Sequence, residues 1–216
     1  GYWGSKMDTR VMVAFGGWNK SAGFPAMASS PTARAKFLNE LAALKDYFVY
    51  GIDIDWEGSD YDYNQPTTAV NELLQEMKQK LQPLGMKVSI ALHATGPAGI
   101  NVVGYGAVDW INVMCYDGSN HGTMTKLNEC MTGYAANYKS KAVIGFPFYY
   151  PTGPSAKGYA QGGTGGLVNL AGVAQATTAI KENGFAGFMA WSMEHDYLDA
   201  AQSLMYKAAA TAGYNP

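Results

Sequence analysis

Apolar positions along the chain fall into two alternating regimes. Short, largely β-branched runs at 11–15, 49–56, 87–92, 110–116, 142–146 and 185–191 read as strands. Between them the period lengthens. Phe37, Leu41, Leu44 and Phe48 recur at spacings of four, three and four, one face of a helix. Ser30-Pro31 opens that helix with an N-cap serine and a first-turn proline. Val70, Leu73, Leu74, Met77 and Leu81 mark a second helix, with Gly85 where its stop belongs. Further helices are predicted over 171–183, ended by Gly184, and over 200–211. Six strands, each followed by a helix or a long connection, predict parallel strands with crossover helices. The choices are a doubly wound sheet or a closed (β/α)8 barrel. Gly16-Gly17-Trp18 lacks the third glycine of a dinucleotide-binding fingerprint and opens no helix, so the doubly wound form loses its usual ligand. No internal repeat or linker is visible, and the glycine-rich stretch 153–166 reads as a surface loop. The 216 residues are therefore expected to form a single domain.

Composition narrows the function more than the fold. The chain is 48% hydrophobic and 15% charged, enough to bury a sizeable core. Fifteen basic and seventeen acidic side chains give a net charge of −2. That balance excludes a nucleic-acid binder working through bulk charge and a membrane-surface protein with a basic face. No apolar run approaches the roughly 18 residues of a membrane span. Cys115 and Cys130 match neither a disulfide framework nor a metal-ligand spacing, and Cys115 lies in an apolar run. Two separate core thiols are expected. Gly1-Tyr2-Trp3-Gly4 has neither the basic start nor the apolar stretch of a signal peptide, and no initiator Met, as in a processed or trimmed chain. A near-neutral chain with 26 Gly, 15 Tyr and 5 Trp has a composition that suits sugar binding.

The chemistry concentrates in Tyr50-Gly51-Ile52-Asp53-Ile54-Asp55-Trp56-Glu57. On a strand, Asp53, Asp55 and Glu57 point to one side, while Ile52, Ile54 and Trp56 point to the other. Three carboxylates crowded along one face of an enclosed site cannot all ionise, so one is expected to hold a proton near neutral pH. A protonated carboxylic acid beside an ionised one is what glycosidic cleavage requires. A solvated acidic strand face and a hard-cation site are the competing readings; acids are poor strand formers, and no second acid cluster completes a cation's shell.

This segment resembles the family 18 glycoside hydrolase (chitinase) signature Asp-Gly-Ile-Asp-Ile-Asp-Trp-Glu, agreeing at seven of eight positions. Three other segments resemble the family in the same order along the chain. They are Val13-Ala14-Phe15-Gly16-Gly17-Trp18, Met114-Cys115-Tyr116-Asp117 and Gly187-Phe188-Met189-Ala190-Trp191-Ser192. The resemblance implies an α/β fold, a (β/α)8 TIM-type barrel. Because the first strand here resembles the family's third, the chain is expected to lack the first two βα units. It further implies a retaining, substrate-assisted mechanism. Glu57 would be the acid, and Asp55 would orient the substrate's acetamido group. Asp53 would share a proton with Asp55, and Tyr116 would hold the acetamido oxygen. Trp191 would form the floor under the sugar, with Asp117, Met114 and Trp18 completing the substrate-binding set. The implied partner is chitin or N-acetylglucosamine oligosaccharides, with no cofactor, no nucleic acid, no membrane, a monomeric default and a secreted location.

Two departures carry consequences. Tyr50 stands where the signature opens with Asp, and its position three before Asp53 directs it away from the acids unless a bulge intervenes. The 38 residues between Phe146 and Phe185 leave no room for the small domain that many chitinases insert there. A shallow, open groove and attack inside a polymer are therefore expected. Tyr149 and Tyr150 are further stacking candidates, Trp110 is expected to be packing, and His93 and His121 structural or merely exposed. Glu194-His195-Asp196 reads equally as a site rim or a solvated loop. An endo-β-N-acetylglucosaminidase, a chitin-binding lectin and an inactive fragment are the alternatives; retention of Glu57 argues against the lectin.

Overall fold

The computed structural model describes residues 10–57, 67–93, 102–116, 122–134, 138–148, 167–196 and 199–214. Their strands are β1 (Met12–Gly16), β2 (Gly51–Asp55), β3 (Lys87–His93), β4 (Trp110–Met114), β5 (Ala142–Pro147) and β6 (Gly187–Trp191). The helices are α1 (Phe24–Ala28), α2 (Pro31–Ala43), α3 (Thr67–Leu81), α4 (Val102–Ala107), α5 (Met124–Tyr134), α6 (Leu170–Glu182) and α7 (Leu204–Ala212). Strand order follows chain order, β1 through β6, as successive βα units require. The chain divides into two compact units, residues 1–92 with 97–111 and residues 93–96 with 112–216.

In the first unit β1, β2 and β3 pair in parallel, Met12 with Gly51 through Gly16 with Asp55, and Gly51 with Lys87 through Ile54 with Ile90. Gly51 is required here, because a Cβ would meet the Lys87 carbonyl oxygen at 2.5 Å. The helix predicted from Phe37, Leu41, Leu44 and Phe48 begins where Ser30 accepts a hydrogen bond from the Ala33 amide. It ends sooner than its period suggests. Leu44–Tyr47 tighten into a 3-10 turn, and Phe48 adopts a left-handed conformation at φ 61°. α3 buries Val70, Leu73, Leu74, Met77 and Leu81 as their spacing predicts. Arg34 locks the helical layer. Its guanidinium donates to both carboxylate oxygens of Glu76 at 3.0 Å and to the Ala28 carbonyl, and pairs with Glu72 at 3.1 Å.

In the second unit β5 and β6 pair in parallel from Val143 with Gly187 to Pro147 with Trp191. Asn169 caps α6 by accepting from the Gly172 amide, and Gly184 follows the helix at φ 74°. The cysteines correct the sequence reading. Cys115 and Cys130 form a disulfide, their Cα atoms 6.2 Å apart, a separation ordinary for a bridge. The strand stops at Met114, so Cys115 starts a turn rather than continuing the core run. α5, whose period did not show in the sequence, brings Cys130 back to it.

Asp109 joins the starts of β3 and β4. Its carboxylate takes a hydrogen bond from Lys87 at 2.8 Å and from the Val88 amide at 3.0 Å, while its own amide donates to the Val88 carbonyl. Partial burial opposes its ionisation, but the Lys87 and Val88 hydrogen bonds outweigh that cost and hold its pKa below the ordinary 3.8. A carboxyl lowered on folding contributes stability that is present above about pH 4 and lost as pH falls through its folded value. Asp109→Asn is therefore expected to lower the urea midpoint at pH 7, with the difference from the unmodified protein closing as pH falls below about 4. A difference independent of pH would contradict this.

Candidate active site

β2 resolves the acidic segment as its alternation predicts. Ile52, Ile54 and Trp56 are buried, at 0, 1 and 4% exposure, while Asp53, Asp55 and Glu57 on the opposite side are each half-buried. Trp56 is fixed by a near-parallel stack on Phe24, ring centroids 5.0 Å apart, and Phe24 in turn meets Phe37 edge-on. The carboxylate of Asp53 accepts a hydrogen bond from the Ser89 hydroxyl on β3. Tyr50 turns away from the acids. Arg10 lies over its ring at 4.8 Å and donates to its hydroxyl at 2.9 Å.

The end of β1 is built for close approach to β2. Gly16 and Gly17 have φ of 117° and 91°, a left-handed region that favours glycine. A Cβ on Gly16 would overlap the Asp55 carbonyl oxygen, and the Gly17 amide donates to that same oxygen at 2.5 Å. Trp18 follows directly and stands 66% exposed, free to present its ring to a ligand.

The second unit carries the aromatic candidates. Met114 ends β4, and Tyr116 lies two residues further on; both are buried. Tyr116 stacks on Trp191 with centroids 5.8 Å apart and planes 20° apart. Trp191 closes β6, its carbonyl accepting from the Phe148 amide at 2.9 Å, and it is 39% exposed. Tyr116 and Trp191 are thus brought together, while Asp117, His121, Tyr149, Tyr150 and the stretch 153–166 lie outside the described residues. The Glu194-His195-Asp196 segment divides. Asp196 accepts from the Ser203 hydroxyl and from the Leu204 and Met205 amides, so it caps α7. His195 is buried, 5.9 Å from the Trp191 ring. Trp110 opens β4 and is half-buried, and His93 closes β3.

Sequence reasoning missed Ser21, Ser89 and Gly145. A Cβ on Gly145 would overlap the Val113 carbonyl oxygen and come within 3.0 Å of a Tyr116 ring carbon. None of the three sits in a chemical motif, and the bonds that tie Ser21 to Glu57 and Ser89 to Asp53 each span 36 positions of the chain.

Parallel βα units with acids ranged along one face of β2 match the barrel class that the sequence resemblance implies. The family model described as glycosyl hydrolases family 18 matches residues 4–177, and the chain belongs to that family. Its fold is the α/β, TIM-type (β/α)8 barrel class, with six strands among the described residues. Endochitinase 1 of Metarhizium anisopliae is 30% identical over 168 residues, 72% of this chain but 38% of the relative. The chain thus spans well under half of that relative's length. Among solved structures, the Group IV chitinase of Ostrinia furnacalis has a TM-score of 0.72 at 19% identity, covering 94% of this chain and 80% of that one. YKL-39, solved in the presence of chitooligosaccharides, has a TM-score of 0.74 at 15% identity, covering 95% and 81%.

Gly145→Ala is expected to push the Tyr116 ring out of place, costing about 1–3 kcal/mol of stability. Thermal unfolding and intrinsic fluorescence of the stacked Tyr116–Trp191 pair would show it; unchanged values for both would contradict the contact.

Proposed function

We propose that the protein is an endo-acting chitinase that hydrolyses β-1,4 bonds between N-acetylglucosamine units with retention of configuration. The observation that carries this reading is the placing of Asp53, Asp55 and Glu57 along one face of β2, opposite buried Ile52, Ile54 and Trp56, in a family 18 chain. Carboxylates ranged along one strand face disfavour one another's ionisation, which favours a shared proton on the Asp53–Asp55 pair and a protonated Glu57. The Ser89 hydroxyl donates to the Asp53 carboxylate and offsets part of the charge carried there.

In this reading Glu57 protonates the leaving oxygen while the substrate's own acetamido oxygen attacks C1 from the opposite face. Bond formation at C1 and departure of the protonated alcohol give an oxazolinium ion, whose charge the Asp55 carboxylate offsets. The Tyr116 hydroxyl holds the acetamido oxygen near C1, and Asp117 and Met114 help hold the sugar. Glu57, now a carboxylate, takes a proton from the water that opens the ring and restores the starting state. Holding the nucleophile on the substrate replaces a second carboxylate on the far side, so proximity supplies much of the rate. Trp191 and Trp18 serve as apolar platforms for sugar faces. No metal or organic cofactor takes part.

The full residue range 1–216 acts as one catalytic domain in this proposal, with no inserted domain between β5 and β6 and hence an open groove suited to internal cleavage. The Cys115–Cys130 disulfide favours a secreted protein, because such bonds persist in oxidising compartments. A monomer acting on chitin or its oligosaccharides, without nucleic acid or membrane, completes the picture.

Product analysis with the N-acetylglucosamine tetramer tests the reading. Dimer should appear with the unmodified protein, and Glu57→Gln should lower turnover by about 10²–10⁴ while leaving tetramer affinity nearly unchanged. Tight binding without cleavage by the unmodified protein would make it a lectin, and full activity of Glu57→Gln would remove that residue from the reaction. Trp191→Ala should weaken affinity as well as rate, by about tenfold in binding. Unchanged affinity would count against its place under the sugar.

A further inference from the structure

We propose that Ser21 is a positioning residue for Glu57, its buried hydroxyl holding the backbone from which the acid is launched. The inference rests on the catalytic reading of Glu57 given above. β2 and its pairing with β1 end at Asp55, opposite Gly16, and Glu57 lies two residues beyond. Ser21 meets the chain there. Its hydroxyl oxygen accepts the Glu57 amide at 2.8 Å, and its hydroxyl faces the Gly17 carbonyl at 2.9 Å and the Asp55 carbonyl at 3.2 Å. One side chain therefore grips the chain on both sides of Trp56 and ties it to the Gly16-Gly17 turn of β1.

The residue is only 4% exposed, so water cannot readily take over its hydrogen bonds. The carbonyl of Asp55 keeps its bond from the Gly17 amide without Ser21, whereas the Glu57 amide loses the hydroxyl that holds it. Removing the hydroxyl should then loosen the acid while leaving Asp55 in place. A general acid displaced by a fraction of an ångström protonates its leaving group poorly, and such errors are amplified in the rate.

That selectivity gives the test. Ser21→Ala and the unmodified protein are compared on the N-acetylglucosamine tetramer, whose leaving alcohol needs protonation, and on the dinitrophenyl β-glycoside of its dimer, whose phenolate departs without it. Ser21→Ala is expected to lower kcat by about 30-fold on the tetramer and by less than about threefold on the dinitrophenyl substrate, with KM nearly unchanged. The ratio of the two rates does not depend on how much of the sample is folded. Equal losses on both substrates, or no loss on the tetramer, would overturn the proposal. Ser21→Cys, whose thiol is a weak acceptor, is read by the same ratio if the alanine variant does not fold. Glu57→Gln measured alongside separates the two ideas. If it turns over tetramer normally, the catalytic reading fails. If it is inactive while Ser21→Ala shows equal losses, only the positioning role fails.

Discussion

The two-residue period of β2 is the constraint on which the rest of the molecule's chemistry depends. Ile52, Ile54 and Trp56 are driven into the core, so Asp53, Asp55 and Glu57 have to emerge on the other face. A slip of one residue would bury three carboxylates and expose three apolar side chains, a change costing several kcal/mol per buried charge. The surrounding residues hold the register. Gly51 lets β3 approach, Gly16 and Gly17 let β1 approach, and Trp56 is pinned by its stack on Phe24. The placing of the three acids is thus a by-product of the same packing that stabilises the fold.

The second unit solves a different problem, that of holding aromatic rings at a strand end without burying them completely. Tyr116 is buried and near-parallel to Trp191, which keeps 39% of its surface exposed. The disulfide at Cys115 fixes the backbone immediately before Tyr116, and Gly145 clears the volume that its ring occupies. Ring placement here comes from covalent and steric restraint, whereas in the first unit the Ser21 hydroxyl accepts from the Glu57 amide and the Ser89 hydroxyl donates to the Asp53 carboxylate.

Much of this was legible in the sequence where the signal is local. The six strands, the α3 face and the stop at Gly184 follow from periodicity and from residues within one or two turns. The direction of Tyr50 followed from counting along a strand, and the structure bears it out through Arg10. What stayed hidden is non-local. Ser21 meets Glu57 across 36 positions and Ser89 meets Asp53 across 36, and neither serine belongs to a motif. The disulfide was misread because Cys115 looked like part of a strand, whereas the chain turns after Met114 and an unforeseen helix returns Cys130. Asp196 could not be told from a site residue, because its partners at 203–205 are defined only once α7 forms.

In the proposed mechanism the substrate's acetamido oxygen, rather than water, attacks C1 while Glu57 protonates the leaving oxygen. The most direct test is proton NMR of the reducing ends released from N-acetylglucosamine tetramer in the first minutes, before the anomers equilibrate. β-Anomeric dimer is expected first. Release of the α anomer would contradict it, because direct attack by water inverts the configuration.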